Sequence, residues 1–205
     1  MNREGAAMGK PPRRMSDVSF RFMDATFRVV DFFHPHIDRR VQGFGIKEGT
    51  TVVDYGCGPG RYTARFAKLV GQAGKVYAVD IHELAIKAVQ RKIEKQHLWN
   101  VEAILAVGHT SAVPDHVADV TCAIDMFFSI SDPATFLGEL KRVTKREGFL
   151  VIDDGHQSRG STKQKLVEGG HWVIMEETRD HLKCTPSSAL GCLLCPCWSA
   201  DSLWA

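Results

Sequence analysis

Residues 51–61 read TVVDYGCGPGR, an apolar segment that contains an acid and runs into three glycines. Val52 and Val53 have the β-branched bulk of a buried parallel strand, and the apolar residues of 62–70 recur at helical spacing. The stretch therefore predicts a strand, a glycine turn and a helix. Because glycine has no Cβ and adopts positive φ readily, such a turn can bring backbone N–H groups against a bound group.

The spacing inside this turn disfavours two phosphate-binding motifs. A dinucleotide fingerprint needs a third glycine three residues after the second, where this chain has Arg61. A phosphate loop needs Gly-Lys-Ser or Gly-Lys-Thr, which the chain lacks. What remains is DYGCGPG (54–60), in which Asp54 stands two positions before the first glycine. An acid there would repel a pyrophosphate, but it can hold the ammonium group of an amino-acid-bearing ligand through water or backbone.

These residues resemble the class I S-adenosylmethionine-dependent methyltransferases, whose first motif is a hydrophobic strand followed by D-x-G-x-G-x-G. A second predicted strand, KVYAVDIH (75–82), reaches Asp80 about twenty residues after the turn, where an acid can accept both hydroxyls of a ribose. The resemblance covers residues 20–185 and implies S-adenosylmethionine as cofactor and S-adenosylhomocysteine as product. It further implies that Asp80 binds the ribose and that Ile81 packs on the adenine.

The resemblance places further cofactor contacts after the third and fourth strands. His109 stands where many relatives have an acid that receives the adenine amino group, and a neutral imidazole nitrogen can accept that hydrogen bond. An exposed loop histidine is the alternative interpretation of His109. The loop that starts at Asp125 faces the sulfonium and the acceptor in the family. Phe127 and Phe128 are expected to wall the pocket, with one of the two phenylalanines in the core as the alternative interpretation. The predicted cofactor-binding set is Asp54, Gly56, Cys57, Gly58, Gly60, Asp80, Ile81, Gly108, His109, Thr110 and Asp125.

Asp153, Asp154 and His156 follow the predicted fifth strand and are the nearest thing to an acid–base cluster. Methyl transfer from a sulfonium needs mainly alignment in a dry pocket, and a general base only when the nucleophile must lose a proton. The predicted catalytic residues are therefore Asp125 and His156, with His156 as the base for a hydroxyl acceptor. Two carboxylates and a histidine also suit a divalent metal, but the spacing is loose and no metal site is predicted.

The remaining pattern alternates strands and helices, which implies right-handed βαβ crossovers and a doubly wound sheet with helices on both faces. The prediction is an α/β fold of the Rossmann-like methyltransferase type, a mostly parallel seven-stranded sheet that ends in an antiparallel C-terminal hairpin. Its later elements are strand 75–81, helix 83–96, strand 101–107, strand 118–125, helix 133–145, strand 148–153, and a hairpin of 171–178 with 181–184. The span 155–170 between the fifth strand and the hairpin is short, and relatives often build acceptor pockets there. This favours a cofactor-binding protein without turnover, whereas an open pocket would suit a large acceptor such as a protein side chain.

Three regions are expected along the chain. Residues 1–15 are interpreted as a disordered basic leader, and 16–185 as the methyltransferase domain. Residues 16–45 of that domain are expected to form an aromatic helical lid, in which Pro35 bends or restarts the helix. Residues 186–205 are expected to be an atypical tail rich in cysteine and tryptophan. There Cys192, Cys195 and Cys197, with Cys184 or His181, offer a zinc site as the second interpretation.

Composition narrows the function classes. The chain has 205 residues, 44% hydrophobic content and a formal charge of +2, much of it in the leader, so nucleic acid is an unlikely partner. It has no apolar run long enough for a membrane span and no secretory signal, which predicts a cytoplasmic protein. The motif that stacks a flipped base is missing after the fourth strand, as are the paired glutamates of arginine methyltransferases.

The predicted function is therefore methylation of a small-molecule acceptor, in the branch that includes quinone-biosynthesis and arsenite-type enzymes. Three alternatives stay open at this point. The chain could bind the cofactor without turnover as a sensor or partner subunit, or it could methylate a protein side chain. A nicotinamide oxidoreductase is disfavoured by Arg61. The sequence does not fix the acceptor or the oligomeric state.

Overall fold

The computed structural model describes residues 14–33 and 36–187. Within them, seven strands form a single sheet. The strands are β1 (Thr51–Tyr55), β2 (Lys75–Asp80), β3 (Val101–Leu105), β4 (Ala118–Ala123), β5 (Thr144–Ile152), β6 (Trp172–Glu177) and β7 (Leu182–Pro186). The helices are α1 (Asp17–Phe33), α2 (His36–Gln42), α3 (Thr63–Val70), α4 (Glu83–Gln96), α5 (Pro133–Val143) and α6 (Arg159–Gly169), with a single 3-10 turn at Phe127–Ser129.

The strand order is β3-β2-β1-β4-β5-β7-β6. The first five of these strands run parallel, whereas β7 lies antiparallel to both β5 and β6. The predicted mostly parallel seven-stranded sheet with an antiparallel C-terminal hairpin is confirmed. Chain order reverses between β1 and β4, so the crevice at the carboxyl ends of these two strands is where such a sheet accommodates a ligand.

Helices cover both faces of the sheet, and the two adjacent valines of β1 are buried on opposite faces. Val52 belongs to a core shared with α2, α3 and α4, in which Phe44 and Phe66 are fully buried. Val53 belongs to the opposite core, which is built from α5, α6 and residues such as Phe136. A strand buried on both sides holds the turn that follows it on a rigid support.

Several elements differ from the sequence expectation: β3 ends at Leu105 rather than 107, β4 ends at Ala123 rather than 125, and β5 begins at Thr144 rather than 148. Helix α5 ends at Val143 rather than at 145, because Thr144 already pairs with Ala118 and begins β5 across a register shift. The sequence predicts no helix in the span 155–170, but the structure has α6 there, with Thr162 and Leu166 buried. Helix α6 is mostly polar, so its sequence carries almost no helical periodicity.

Parts of the predicted domain plan lie outside the described residues. These are the leader before Arg14, the bend at Pro35 and the tail beyond Ser187, including Cys192, Cys195 and Cys197. Among the described residues, α1 and α2 occupy the region predicted to be a lid. Among residues 14–33 and 36–187, no helix is long and apolar enough to cross a membrane.

His181 is buried in the turn before β7, at 4% exposure. Its ring lies edge-on to Phe44, with 5.1 Å between centroids, and its Nε2 has no hydrogen-bond partner. Burial lowers the pKa of His181, and the charges of Lys183 and Arg40 add to this against the weaker opposing effects of Glu176 and Asp180. The folded protein therefore holds this imidazole neutral.

We expect this histidine to destabilise the fold in acid. A folded-state pKa below the unfolded value of about 6.5 means that its contribution is fully present above that pH and is lost as pH falls towards the folded pKa. Wild type should therefore lose more unfolding free energy than His181→Phe between about pH 7.5 and 5.5, since the variant has no imidazole to protonate. Urea unfolding at both pH values measures the difference, and equal losses in the two proteins would contradict the expectation.

Candidate active site

The glycine turn is shaped by positive φ angles and by close packing. Gly56, Gly58 and Gly60 have φ of 79°, 52° and 74°. A Cβ at Gly56 would stand 2.8 Å from Met126 Cγ, and one at Gly60 would stand 2.9 Å from Val89 Cγ2. At Gly58 a Cβ would meet nothing nearer than 4.0 Å. Two of the glycines thus let the backbone pack closely, whereas the middle one faces open space.

That open space is a cavity of about 410 Å³ at the carboxyl edge of the sheet. Its size lies in the range of roughly 300–1,000 Å³ that is typical of small-molecule sites. The lining comes from the glycine turn, the ends of β2 and β4, the loop after β3, and α1. Its members include Met23, Phe27, Tyr55, Gly56, Cys57, Gly58, Arg61, Tyr62, Asp80, Ile81, His82, Gly108, His109, Asp125, Met126 and Phe128. The edge where the chain order reverses is therefore concave and mainly apolar.

Asp80 ties the end of β2 to the glycine turn. Its Oδ2 accepts the Gly58 N–H at 2.9 Å and its Oδ1 accepts the His82 N–H at 2.8 Å. Burial raises the pKa of Asp80, although the bonds from Gly58 and His82 partly oppose this. Each carboxylate oxygen can accept a second hydrogen bond, so Asp80 can still receive hydroxyl groups from the cavity.

His109 forms the cavity wall after β3. Its backbone carbonyl accepts the Tyr55 hydroxyl at 2.7 Å, and its ring lies edge-on to Phe136 at 6.2 Å between centroids. The side chain is only 8% exposed and its Nε2 has no hydrogen-bond partner. A buried polar nitrogen without a partner costs free energy, so a ligand hydrogen bond at this nitrogen is favoured. The alternative of a merely exposed loop histidine does not match this burial.

Asp54 does not line the cavity. It is 2% exposed and its Oδ2 accepts the Thr63 hydroxyl at 2.5 Å, which links β1 to the start of α3. Burial raises the pKa of Asp54 to about 7, with the Thr63 hydrogen bond opposing. The structure thus places Asp54 behind the turn, whereas the sequence expectation put it against the ligand. Gly60 and Thr110 also lie outside the lining.

Arg40, which lies in α2, contacts residues that follow β4, β5 and the glycine turn. Its Nη2 lies 2.5 Å from Asp153 Oδ2, and its Nη1 lies 2.7 Å from the Tyr62 hydroxyl and 3.3 Å from Asp125 Oδ1. The Tyr62 hydroxyl donates to Asp125 Oδ2 at 3.0 Å, and the Asp125 N–H donates to Asp153 Oδ1 at 2.9 Å. We call these four residues the Arg40 cluster.

The two acids of the Arg40 cluster differ in charge. Burial and the neighbouring Asp125 carboxylate together raise the pKa of Asp153 to about 7, against the opposing charge of Arg40. Burial also acts on Asp125, but its interaction with Asp153, the Arg40 charge and the Tyr62 hydroxyl outweigh burial and lower its pKa. Asp125 therefore presents an ionised carboxylate to the cavity. Its φ of 58° is unusual for a residue other than glycine and is tolerated best by aspartate and asparagine.

The expected acid–base cluster after β5 is not assembled. Asp154 binds Arg159 Nε with both oxygens, at 3.0 and 2.8 Å, and Asp153 belongs to the Arg40 cluster. His156 is exposed, lies edge-on to Phe128 at 4.8 Å between centroids, and does not line the cavity. In residues 14–33 and 36–187, no group of three or more His, Cys, Asp or Glu side chains is arranged to hold a metal ion.

Several residues at the site were missed from the sequence. Arg40 and Tyr62 gave no signal because their partners lie far along the chain, 113 residues away for Arg40 and Asp153. His82 was missed too, although it caps α4 by accepting the Leu84 N–H and stacks on Phe20 of α1 at 4.6 Å between centroids. A polar residue directly before a helix was the available signal for this cap.

Comparison with known proteins gives a consistent picture. A family described as Methyltransferase domain matches residues 46–194. The ubiquinone/menaquinone biosynthesis C-methyltransferase UbiE of Escherichia coli O1:K1 is 32% identical over 109 residues, which cover 53% of this chain and 43% of that enzyme. The matched part is thus less than half the length of that curated relative.

Solved structures share the fold. A SAM-dependent methyltransferase from Aquifex aeolicus superposes with a TM-score of 0.75 at 27% identity, and the match covers 85% of this chain and all of that one. The cyclase SpnF superposes with a TM-score of 0.56 at 19% identity, covering 68% of this chain and 58% of that one. At that identity the likeness to SpnF concerns the fold alone, and it illustrates that one fold carries different chemistries.

Removal of the Arg40 guanidinium should destabilise the fold. Arg40→Met leaves the Asp153 carboxyl buried without its cation, a change that typically costs about 3 kcal/mol or more. Because the pKa of Asp153 is raised, this carboxyl can take up a proton in mild acid. The loss of unfolding free energy should therefore be larger at about pH 8 than at about pH 5.5.

Urea unfolding of matched variants separates this effect from loss of a surface charge. Lys75→Met removes an exposed partner of Glu102 and should change stability by less than about 1 kcal/mol. Arg40→Met combined with Asp153→Asn should recover part of the stability, since no charge is left behind. A loss no larger than that of Lys75→Met, or one independent of pH, would show that the cluster contributes little.

Proposed function

The chain belongs to the methyltransferase domain family, and from this premise we propose that it transfers a methyl group from S-adenosylmethionine to a small, largely apolar acceptor. Membership of the family and the likeness to the SAM-dependent methyltransferase from Aquifex aeolicus support the predicted class of enzyme, an S-adenosylmethionine-dependent methyltransferase, and its cofactor. The activity, the acceptor and the roles of individual residues are proposed here. The observation that carries the proposal is the cavity at the β1–β4 edge, with Asp80, Gly58 and His109 on its walls.

The cavity walls carry the polar groups that an adenosyl ligand needs. Asp80 would accept the ribose hydroxyls, and Ile81 would pack on the adenine. The unpartnered Nε2 of His109 would accept the adenine amino group, which would give this buried nitrogen its missing hydrogen bond. The open space at Gly58 lets the ligand approach the backbone closely.

When bound, S-adenosylmethionine supplies a methyl group on a positively charged sulfur that is an excellent leaving group. The protein then has to exclude water and align the acceptor. Apolar side chains of α1, among them Met23 and Phe27, cover the cavity and would exclude water. Asp125 lies in the lining with a lowered pKa, so we assign it to orienting an acceptor through a hydrogen bond rather than to removing a proton. The location of His156 outside the lining speaks against our expectation of a histidine base.

Two observations favour a small acceptor over a protein side chain. Helix α1 forms part of the cavity wall, since Phe20 packs on His82 and Met23 lies 4.0 Å from a Cβ position at Gly58. In addition, the relative UbiE is named as a C-methyltransferase of ubiquinone and menaquinone biosynthesis, which is small-molecule chemistry.

Cofactor binding should depend on Asp80. We expect S-adenosylmethionine and S-adenosylhomocysteine to raise the melting temperature by several degrees at about 100 times their Kd, and NAD to have no effect. Asp80→Ala should weaken adenosyl binding by roughly tenfold or more, since hydrogen bonds to a charged group are lost. Glu102→Ala, an exposed acid on β3, is the control and should bind as wild type. Unchanged affinity in Asp80→Ala would remove the ribose assignment.

The acceptor class can be tested with methyl-labelled S-adenosylmethionine. After incubation of the protein with a cell extract, we expect label in small molecules that partition into organic solvent. Asp125→Asn should lower turnover by roughly tenfold while leaving cofactor affinity near wild type, because it removes one charge-assisted hydrogen bond to the acceptor. Label in acid-precipitated protein would favour a protein acceptor. Cofactor binding without label in either fraction would favour a binding protein without turnover.

A further inference from the structure

Asp125 has a backbone conformation that sets it apart from the rest of the cavity wall. Its φ is 58°, and among residues 14–33 and 36–187 the other residues besides glycine with positive φ are His97 and His116. His97 ends α4 and His116 lies in a turn before β4, where the left-handed conformation is ordinary. Of these three residues, Asp125 lines the cavity. A positive φ is unfavourable for a residue with a Cβ and persists where neighbouring groups impose it.

The positive φ turns the Asp125 side chain away from the core. Along β4 and its extension, side chains alternate between the two faces of the sheet: Ala123 belongs to the core beside α5 and α6, and Ile124 to the core on the opposite face. If the strand simply continued, residue 125 would follow Ala123 into the first of these cores, where a carboxylate would lose its water. In the structure it lines the cavity instead, and 42% of its side chain is exposed.

Asp153 imposes this conformation from the neighbouring strand. β4 and β5 are paired with Ala123 opposite Ile152, so the residues that follow the two strands are adjacent. The Asp125 N–H donates to Asp153 Oδ1 at 2.9 Å, where a continuing parallel ladder would use a backbone carbonyl. A side-chain acceptor thus ends the ladder and lets Asp125 leave the extended conformation with its N–H satisfied.

Two further elements hold the Asp125 carboxylate. Its Oδ2 accepts the Tyr62 hydroxyl at 3.0 Å, and its Oδ1 lies 3.3 Å from Arg40 Nη1. Asp153 itself is 2% exposed, lies outside the cavity lining and pairs its other oxygen with Arg40. Asp153 can therefore affect a reaction in the cavity only through the groups that it holds.

We propose that Asp153 is a positioning residue for methyl transfer, which holds Asp125 in the left-handed conformation that directs its carboxylate into the cavity. Glycine would adopt this conformation without strain, so an aspartate at 125 indicates that its carboxylate is used there. A buried carboxylate at 153 is unfavourable by itself, and neutral residues of similar shape can replace a buried ion pair at little cost. The effect on methyl transfer rests on the proposed function, whereas the conformation of Asp125 does not.

Two variants of the full chain isolate the hydrogen bond to the Asp125 N–H. They are Arg40→Met with Asp153→Asn, and Arg40→Met with Asp153→Leu. Asparagine and leucine have nearly the shape of aspartate, and neither variant leaves one partner of the Arg40–Asp153 pair buried alone, so the two differ mainly in one acceptor oxygen. In crystal structures we expect φ of residue 125 to stay positive in the asparagine variant. In the leucine variant it should become negative, because the Asp125 N–H must then find a backbone acceptor.

Methyl transfer should follow the conformation. With methyl-labelled S-adenosylmethionine and a cell extract as the source of acceptor, the leucine variant should label the organic-soluble fraction about tenfold more slowly than the asparagine variant, since a displaced group costs alignment. Calorimetry should give both variants the same S-adenosylmethionine affinity. Addition of Asp125→Ala to both should make their rates equal, because no carboxylate is left to position. A merely structural role of Asp153 would still slow the leucine variant in that background.

Asp119 offers a matched control. It also accepts a backbone N–H, from Thr51 at 2.8 Å, and pairs with a cation, Lys145, but it lies outside the cavity lining. Asp119→Leu with Lys145→Met should transfer methyl groups as wild type does. Arg40→Met with Asp153→Ala, which also lacks the acceptor oxygen, replaces the leucine variant if that protein does not fold.

A positive φ at residue 125 in the leucine variant, or equal turnover by the asparagine and leucine variants, would overturn the proposal. A wild type that transfers no methyl group, combined with loss of the positive φ in the leucine variant, would refute the proposed function and leave the positioning of Asp125 standing.

Discussion

The hydrogen bond between the Gly58 N–H and the Asp80 carboxylate is the constraint on which the site depends. β1 and β2 are adjacent parallel strands, so the end of one is beside the turn that follows the other. Asp80 spans this gap and fixes the turn at the glycine whose surroundings are open. Because β1 is buried on both faces, the turn cannot move away from that carboxylate without disturbing two cores. The cavity owes its shape to this rigid support.

The Arg40 cluster likewise ties strand ends together, on the β4 side of the point where chain order reverses. One guanidinium reaches the ends of β4 and β5 and the tyrosine that precedes α3. It also keeps the Asp125 carboxyl ionised beside the cavity, although two carboxyls so close together would otherwise tend to share a proton. Helix α2 thus contributes charge to the site without lining it.

The sequence allowed the sheet and several residues of the cavity lining to be predicted, but not the Arg40 cluster. The glycine turn, Asp80 and Ile81 follow from local patterns, in which the residues that act together are close along the chain. The partners of Arg40 and Tyr62 lie far along the chain, so no local sequence pattern indicates their roles. His156 was expected at the cavity because it follows a strand, but the chain turns at Gly155, where φ is 55°, and sets the histidine outside the lining. Asp54 belongs to the family motif, yet in this structure its carboxylate binds the Thr63 hydroxyl at the start of α3.

The stacking of Phe20 on His82 has a consequence for the timing of ligand exchange. Phe20 is the one buried side chain among those described in α1, so the helix can leave the body by breaking few contacts and without opening the sheet. Local opening of this kind requires much less free energy than global unfolding. The residence time of a ligand under α1 would then depend on the contacts of this helix, among them the Phe20–His82 pair and Arg61 over Phe27 at 4.6 Å, rather than on the stability of the domain. Hydrogen exchange in α1 would accordingly be faster than in β1, and ligand dissociation would follow the exchange of the helix.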